Sequence, residues 1–273
     1  MPKINKLGVI GSPIDHSLSP FIHSRFARQA NLNLDYRPYK VEPDEIDIFL
    51  KDFFADKNAI GLNVTLPLKK HAFKRCSSSS EEVGFIEAAN TLIKKNRLLY
   101  GETTDSRGFI SDLDEKNIEL CSKEVLIIGA GDAAESILWG ITKQKPKQLF
   151  ITNRTVEKAE RLAKKYSQFV KINVVSEGNN INADVIINSS SAGITGKFEE
   201  PKIRDLNDST IAYDLNYSIN ETPFCKWAES FTQNTFDGTG MLVHQAAKSF
   251  KHWFDYEPDV RNVLNEIEQF RNE

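Results

Sequence analysis

The chain is 273 residues long, 40% hydrophobic and 27% charged, with a formal net charge of −3. That composition predicts a globular protein with a real core and enough length for about two domains. The slightly acidic balance gives no electrostatic reason to invoke nucleic acid or a membrane surface, and no apolar run reaches the roughly 18 residues of a membrane-spanning helix.

No signal-peptide core is read at the N-terminus. Cys76, Cys121 and Cys225 are far apart with no CxxC spacing, so they read as reduced thiols of a cytoplasmic protein, not as a disulfide frame or a zinc site. The histidines show no HExxH pairing, and no metal site is expected. His16 and His23 flank a turn and a helix start, as polar neighbours of a site or plain surface.

In chain order, Leu7 to Ser12 reads as a strand ending at glycine. Ser19 is a plausible N-cap and Pro20 a plausible first helical residue for a helix to about Ala30. Ser17 and Ser19 alternate, which in an extended segment sends both hydroxyls the same way. Two hydroxyls at a helix N-terminus suit a carboxylate; the plain alternative is that Ser19 only caps. Tyr36 to Val41 is strand-like, Glu45 to Ala55 has helical spacing, and Ala59 to Thr65 is a third strand, as in a small parallel sheet.

Lys69 follows where a strand ends and a helix begins, a common place for functional groups in open α/β sheets. Ser79 and Glu82 have capping-box spacing. Ala88 to Ile93 is a strand entry with a polar Asn90, Lys94 to Arg97 a hairpin-like turn, and Asp105 precedes a helix from Gly108 to about Asp114.

Val125 to Ile128 runs into Gly129-Ala130-Gly131-Asp132-Ala133-Ala134, a G-x-G-x-x-A turn, and a helical pattern from Ala133 to Gln144 follows. Strand, tight turn and helix in that order form a dinucleotide fingerprint, with the pyrophosphate at the helix N-terminus. An ordinary tight turn is the competing reading. Asp132 puts a carboxylate in this loop, where it is expected to cap the helix. The next strand, Leu149 to Thr152, ends in Asn153-Arg154-Thr155. A carboxylate there would accept from a ribose 2′-hydroxyl, whereas an arginine fork suits a 2′-phosphate. The residues therefore point to NADP, unless Arg154 is only a solvated loop residue.

Val156 to Tyr166 is a charged amphipathic helix. Asp184 to Asn188 is a buried strand opening into the polar loop Ser189 to Gly193, and Ile211 to Tyr217 is a further strand. Thr222 starts a helix to about Phe231. Met241 to Trp253 and Pro258 to Arg271 are amphipathic helices that follow the nucleotide unit and fold back on the first domain. The expected organisation is a discontinuous substrate-binding domain, 1–105 with 238–273, and an NADP-binding domain, 106–237. The fold class is α/β, a small α/β domain plus a Rossmann-type doubly wound parallel sheet.

Several motifs in one order resemble the shikimate dehydrogenase family. They are Gly11 to Pro20, Asn63 to Lys69, Asn90-Thr91-Leu92, Thr104-Asp105, Asn153-Arg154-Thr155, Tyr213-Asp214 and Gly238 to Ala246. The resemblance spans the chain and implies reversible, NADPH-dependent reduction of 3-dehydroshikimate to shikimate, in the pathway to aromatic amino acids. It implies Lys69 as general acid and base, with Asp105 beside it. Ser17 and Ser19 would bind the substrate carboxylate, with Tyr217 near it, and Thr65, Asn90, Asp105 and Gln245 the ring hydroxyls. On the cofactor side it implies Gly129, Ala130, Gly131, Asp132, Ala133, Asn153, Arg154, Thr155 and Lys158, with Leu215, Gly238 and Glu81 at the nicotinamide end. The expected partner is a small-molecule substrate, the expected oligomer a monomer or homodimer.

The chain departs from that family's usual pattern. Asp132 and Glu135 stand in place of a glycine and an arginine, Ser106 in place of a glycine, and Asn216 where a large apolar residue is common. An added carboxylate near phosphates costs on the order of 1 kcal/mol or more, depending on exposure. A non-catalytic sensor of a shikimate-like ligand and a dehydrogenase that also accepts quinate are the alternative readings.

Overall fold

A computed structural model describes residues 4–176, 181–190, 198–203 and 205–272. Ser191, Ala192 and Gly193 of the expected polar loop lie outside the described residues. The chain divides into two compact units, Met1–Gly108 with Val243–Ile267, and Phe109–Leu242 with Glu268–Glu273. Among the described residues, no helix is long and apolar enough to cross a membrane.

The elements up to the first crossing are β1 (Asn5–Gly11), α1 (Ser19–Gln29), β2 (Leu34–Lys40), α2 (Ile46–Ala55), β3 (Gly61–Val64), α3 (Lys69–Phe73), β4 (Ser78–Ser79), α4 (Glu81–Ile86), β5 (Thr91–Lys95), β6 (Leu98–Glu102) and α5 (Asp105–Glu115). Their six-stranded sheet has the order β2-β1-β3-β5-β6-β4. It is mixed: β1 runs parallel to β2 and β3, as expected of the first three strands, while β5 is antiparallel to both β3 and β6. The reason is local. Asn96 and Arg97 alone join β5 to β6, and two residues can link only antiparallel neighbours, here with Asn96 at φ 58°.

That reversal positions the site. The C-terminal ends of the parallel β1 and β3, the N-terminal end of β5 and the C-terminal end of β6 share one sheet edge, because Thr91 pairs with Asn63 on one side and Glu102 on the other. The segments holding Ser17, Thr65, Lys69, Asn90 and Asp105 all leave from that edge. Beneath it, Ile46, Leu50 and Phe53 bury the inner stripe of α2 against Ile10, Leu62, Val64 and Leu92.

The second sheet is built from β7 (Glu124–Ile128), β8 (Gln148–Thr152), β9 (Ile172–Val174), β10 (Val185–Asn188), β11 (Ile211–Asp214) and β12 (Thr235–Phe236). All its pairings are parallel, in the order β12-β11-β10-β7-β8-β9. Counted within the unit this is 6-5-4-1-2-3, the dinucleotide-binding order, with the reversal at β7. Helices α6 (Asp132–Lys143), α7 (Val156–Tyr166) and α8 (Pro223–Ala228) connect the strands; α9 (Thr239–Phe254) and α10 (Val260–Asn272) close the chain. Buried Ala159, Leu162 and Tyr166 lie at helical spacing on the inner face of α7.

Candidate active site

In the first unit, Lys69 opens α3 and its Nζ donates to Asp105 Oδ2 at 2.8 Å. Asp105 is the first residue of α5, and its side chain is 9% exposed against 20% for Lys69. The other Asp105 oxygen accepts from Asn90 Nδ2 at 2.8 Å. The same amide nitrogen reaches Thr104 Oγ1 at 2.9 Å and Gln245 Oε1 at 3.3 Å. Lys69, Asn90, Thr104, Asp105 and Gln245 thus form one hydrogen-bonded cluster. Gln245 comes from α9, and its backbone lies so near Gly108 that a Cβ there would fall 2.6–2.8 Å from Gln245 atoms.

Ser17, Ser19 and Thr65 lie on the same edge, but their local geometry differs from the expectation. Ser19 is the first residue of α1, not its cap; the cap position is Leu18, with no side-chain bond. The cap is replaced by Ser17 Oγ, which accepts from the Ser19 N–H at 3.3 Å. The two hydroxyls therefore do not sit as equivalent members of an extended segment. Ser19 is buried and its hydroxyl bonds that of Tyr36. Thr65 is held through its N–H to the Ile10 carbonyl at 2.9 Å. His16 is exposed, whereas His23 is fully buried, its ring stacked 4.3 Å from Tyr36, so it is not surface.

Glu81 is exposed in the first turn of α4. The cap of that helix is Ser80, accepting from Val83 N at 3.5 Å, so the expected Ser79–Glu82 box is displaced by one residue. Glu82 is instead buried, with burial pushing its carboxyl up to about 7 while the Ser106 hydroxyl, which donates to it, opposes the rise.

In the second unit, Gly129 has φ +105°, a conformation other residues adopt only under strain, and a Cβ there would fall 2.6 Å from Ser189 Oγ. Gly131 is the N-cap of α6, and a Cβ on it would meet nothing within 4 Å. Asp132 is therefore not the cap; it is an exposed first-turn residue, where the helix dipole favours its charge. Ala133 follows it in that turn. Asn153 spans the two loops: its Oδ1 accepts from Ala130 N at 3.0 Å and its Nδ2 donates to the Thr155 carbonyl at 2.7 Å. Arg154, Thr155 and Lys158 are exposed beside it. Open backbone over Gly131, first-turn N–H groups and exposed cations after β8 fit a dinucleotide carrying a 2′-phosphate. Leu215 and Gly238 are in contact, a Cβ on Gly238 falling 2.3 Å from the Leu215 carbonyl, and Tyr217 is exposed on the loop after β11.

Residues 9–92 match the shikimate dehydrogenase substrate binding domain, residues 112–208 shikimate / quinate 5-dehydrogenase, and residues 238–268 the shikimate 5′-dehydrogenase C-terminal domain. The shikimate dehydrogenase (NADP+) of Vibrio atlanticus is 36% identical over 268 residues, 97% of this chain and 97% of that protein. That of Saccharophagus degradans is 38% identical over 272 residues, 96% and 98% of the two chains. The chain belongs to the shikimate dehydrogenase family. The crystal structure of shikimate dehydrogenase from Aquifex aeolicus matches with a TM-score of 0.88 at 29% identity, over 99% of this chain and 98% of that one.

The departures from the shikimate dehydrogenase pattern have structural accounts. Glu135 is buried and its carboxylate pairs with Lys165 of α7 at 2.7 Å. Ser106 supplies the hydroxyl that Glu82 accepts. Asn216 donates to the Ser190 carbonyl at 2.8 Å and to Asp214 Oδ1 at 2.9 Å, joining the loops that leave β10 and β11. Thr91, Ser249 and Asn63 were not singled out individually from the sequence, yet they lie buried under the polar cluster. The available signal was a polar residue inside each apolar buried stretch.

Proposed function

We infer that the chain is an NADP-dependent oxidoreductase that interconverts 3-dehydroshikimate and shikimate. The observation that carries the reading is the Lys69–Asp105–Asn90–Gln245 cluster at one sheet edge, in a chain related over nearly its whole length to NADP-dependent shikimate dehydrogenases. Held by the residues named below, NADPH would supply the hydride that adds to the ketone carbon. The oxygen left negative takes a proton from the Lys69 ammonium; in reverse, the neutral amine removes the hydroxyl proton. Asp105 holds Lys69 by its paired oxygen and presents its carboxylate to a ring hydroxyl. Asn90, Gln245 and Thr65 complete the hydroxyl contacts, and Ser17 and Ser19 bind the carboxylate, Ser19 by turning its hydroxyl from Tyr36, with Tyr217 beside it.

On this reading, residues 1–105 with 238–273 bind substrate and residues 106–237 bind NADP. Gly129 to Ala133 take the pyrophosphate, and Asn153, Arg154, Thr155 and Lys158 the adenosine ribose and its 2′-phosphate. Leu215, Gly238 and Glu81 serve the nicotinamide end. All three cysteines are free thiols, in keeping with a cytoplasmic enzyme; its oligomer is read as a monomer or homodimer.

The test is absorbance at the nicotinamide band while the protein meets shikimate with NADP, then with NAD, with quinate as parallel substrate. Rapid reduction of NADP by shikimate is expected. No reduction with any pair, from a folded protein that binds shikimate, would leave a sensor as the reading.

A further inference from the structure

Under the Lys69–Asp105 pair, the first unit holds a second layer of polar side chains that the chemistry above does not use. Asn63 is 5% exposed, Thr91 and Ser249 0%. The Tyr36 hydroxyl donates to Asn63 Oδ1 at 2.8 Å, and His23 Nε2 lies 3.1 Å from the same oxygen. Asn63 Nδ2 then donates to Ser249 Oγ at 3.0 Å and to Thr91 Oγ1 at 3.3 Å. The Ser249 and Thr91 oxygens are 2.8 Å apart. Thr91 donates onward to Asn90 Oδ1 at 2.8 Å, and Asn90 donates to Asp105, which holds Lys69.

The direction of this chain follows from the donor inventory. A hydroxyl has one hydrogen, and that of Thr91 is committed to Asn90 Oδ1, so Thr91 accepts from Ser249, whose hydrogen also lies within reach of the Gln245 carbonyl at 3.2 Å. The donors from Tyr36 through Asn63 and Thr91 to Asn90 then point toward Asp105, an arrangement in which each bond polarises the next. The chain also decides which way the Asn90 amide faces. Its oxygen accepts from Thr91 and from the Thr104 N–H at 3.0 Å. Flipped, it would strand those two donors and turn an oxygen on the Asp105 carboxylate.

We propose that Thr91 and Ser249 are positioning residues for the proton transfer: their buried hydroxyl pair fixes the Asn90 amide, which fixes Asp105, which aims the Lys69 ammonium. The inference rests on the dehydrogenase reading of that cluster. Thr91 supplies the bond to Asn90, and Ser249 orients Thr91 while accepting from Asn63, a residue of β3 well inside the sheet.

Full-length Thr91→Val, Thr91→Ser and Ser249→Ala are compared with the unaltered chain in shikimate oxidation by NADP, with thermal unfolding measured on each. Thr91→Val is expected to lower kcat at least about tenfold, leave KM for NADP within about twofold, and move the pH of half-maximal kcat. Thr91→Ser restores kcat to within about twofold, and Ser249→Ala shifts kcat and the pH profile the same way by less. A residue that only supports the fold would lower the unfolding midpoint and leave the folded enzyme's kcat and pH profile alone. Folded Thr91→Val with kcat within about twofold of the unaltered chain, or Thr91→Ser no better than Thr91→Val, overturns the proposal. Should Thr91→Val not fold, Ser249→Ala decides by the same criteria; if neither folds, the pair is structural and the proposal falls. No turnover by the unaltered chain would instead strike the dehydrogenase reading itself.

Discussion

The Lys69 ammonium and the Asp105 carboxylate, 2.8 Å apart and mostly shielded, make a pair whose partners have separate duties. General acid–base groups contribute roughly 10²–10⁴-fold to a rate, so Lys69→Ala is expected to lower kcat within that range while KM for shikimate changes little. Turnover near that of the unaltered enzyme would remove Lys69 from the proton transfer. Glu82 makes a different prediction, on stability. Desolvation raises its carboxyl from 4.5 to about 7 in the folded chain. A raised carboxyl favours the folded state while protonated, so its contribution is full below pH 4.5 and is lost as pH rises through about 7. Glu82→Gln keeps an acceptor for Ser106 without the charge. It should stabilise the protein at pH 8 by roughly 1–3 kcal/mol in denaturant unfolding, with the gain vanishing below about pH 4.5. An equal effect at both pH values would show that the Glu82 carboxyl is not raised in the folded chain.

Among the elements, α5 and α9 meet where Gly108 faces Gln245. Helix propensity alone would make Gly108→Ala stabilising by up to ~1 kcal/mol. The added Cβ would fall 2.6–2.8 Å from the Gln245 side-chain root and backbone, and backbone cannot swing aside as a side-chain end can. Overpacking of that kind costs about 1–3 kcal/mol, so the clash wins. Gly108→Ala is expected to lower stability and to raise KM for shikimate, since Gln245 moves with its helix; a stabilised variant with unchanged KM would contradict the packing. The helices themselves were legible from their spacing: Ile46, Leu50 and Phe53 on α2, and Ala159, Leu162 and Tyr166 on α7, face inward as periodicity predicts. Helix starts were less legible. Three expected caps, at Ser19, Ser79 and Asp132, sit one residue from the true cap position. Serine and aspartate favour caps and first turns alike, and only the backbone path decides between neighbours.

For the whole molecule, a ligand that binds only the folded chain stabilises it by mass action, about 2.7 kcal/mol at a hundredfold excess over Kd. NADP at that excess should raise the unfolding midpoint, and Arg154→Ala should lose the shift at the same concentration while the smaller response to NAD persists. Equal loss for both cofactors would make Arg154 structural. The strand–turn–helix of the glycine loop and the order of motifs along the chain were written in the sequence, because they depend on local backbone demands and on residue types at short spacing. The α/β class followed from the same periodicities. The strand order of the first sheet did not, although its hairpin-like turn over Lys94 to Arg97 was visible, because strand order is a choice among distant partners. The same holds for the polar layer. Asn90 and Asp105 stood out as polar residues at element ends, but Asn63, Thr91 and Ser249 are 186 residues apart at the extreme and meet only when β3, β5 and α9 pack together. Short-range chemistry is encoded residue by residue; the partner of a buried hydroxyl is decided by tertiary packing, since burial leaves it no water to bond instead.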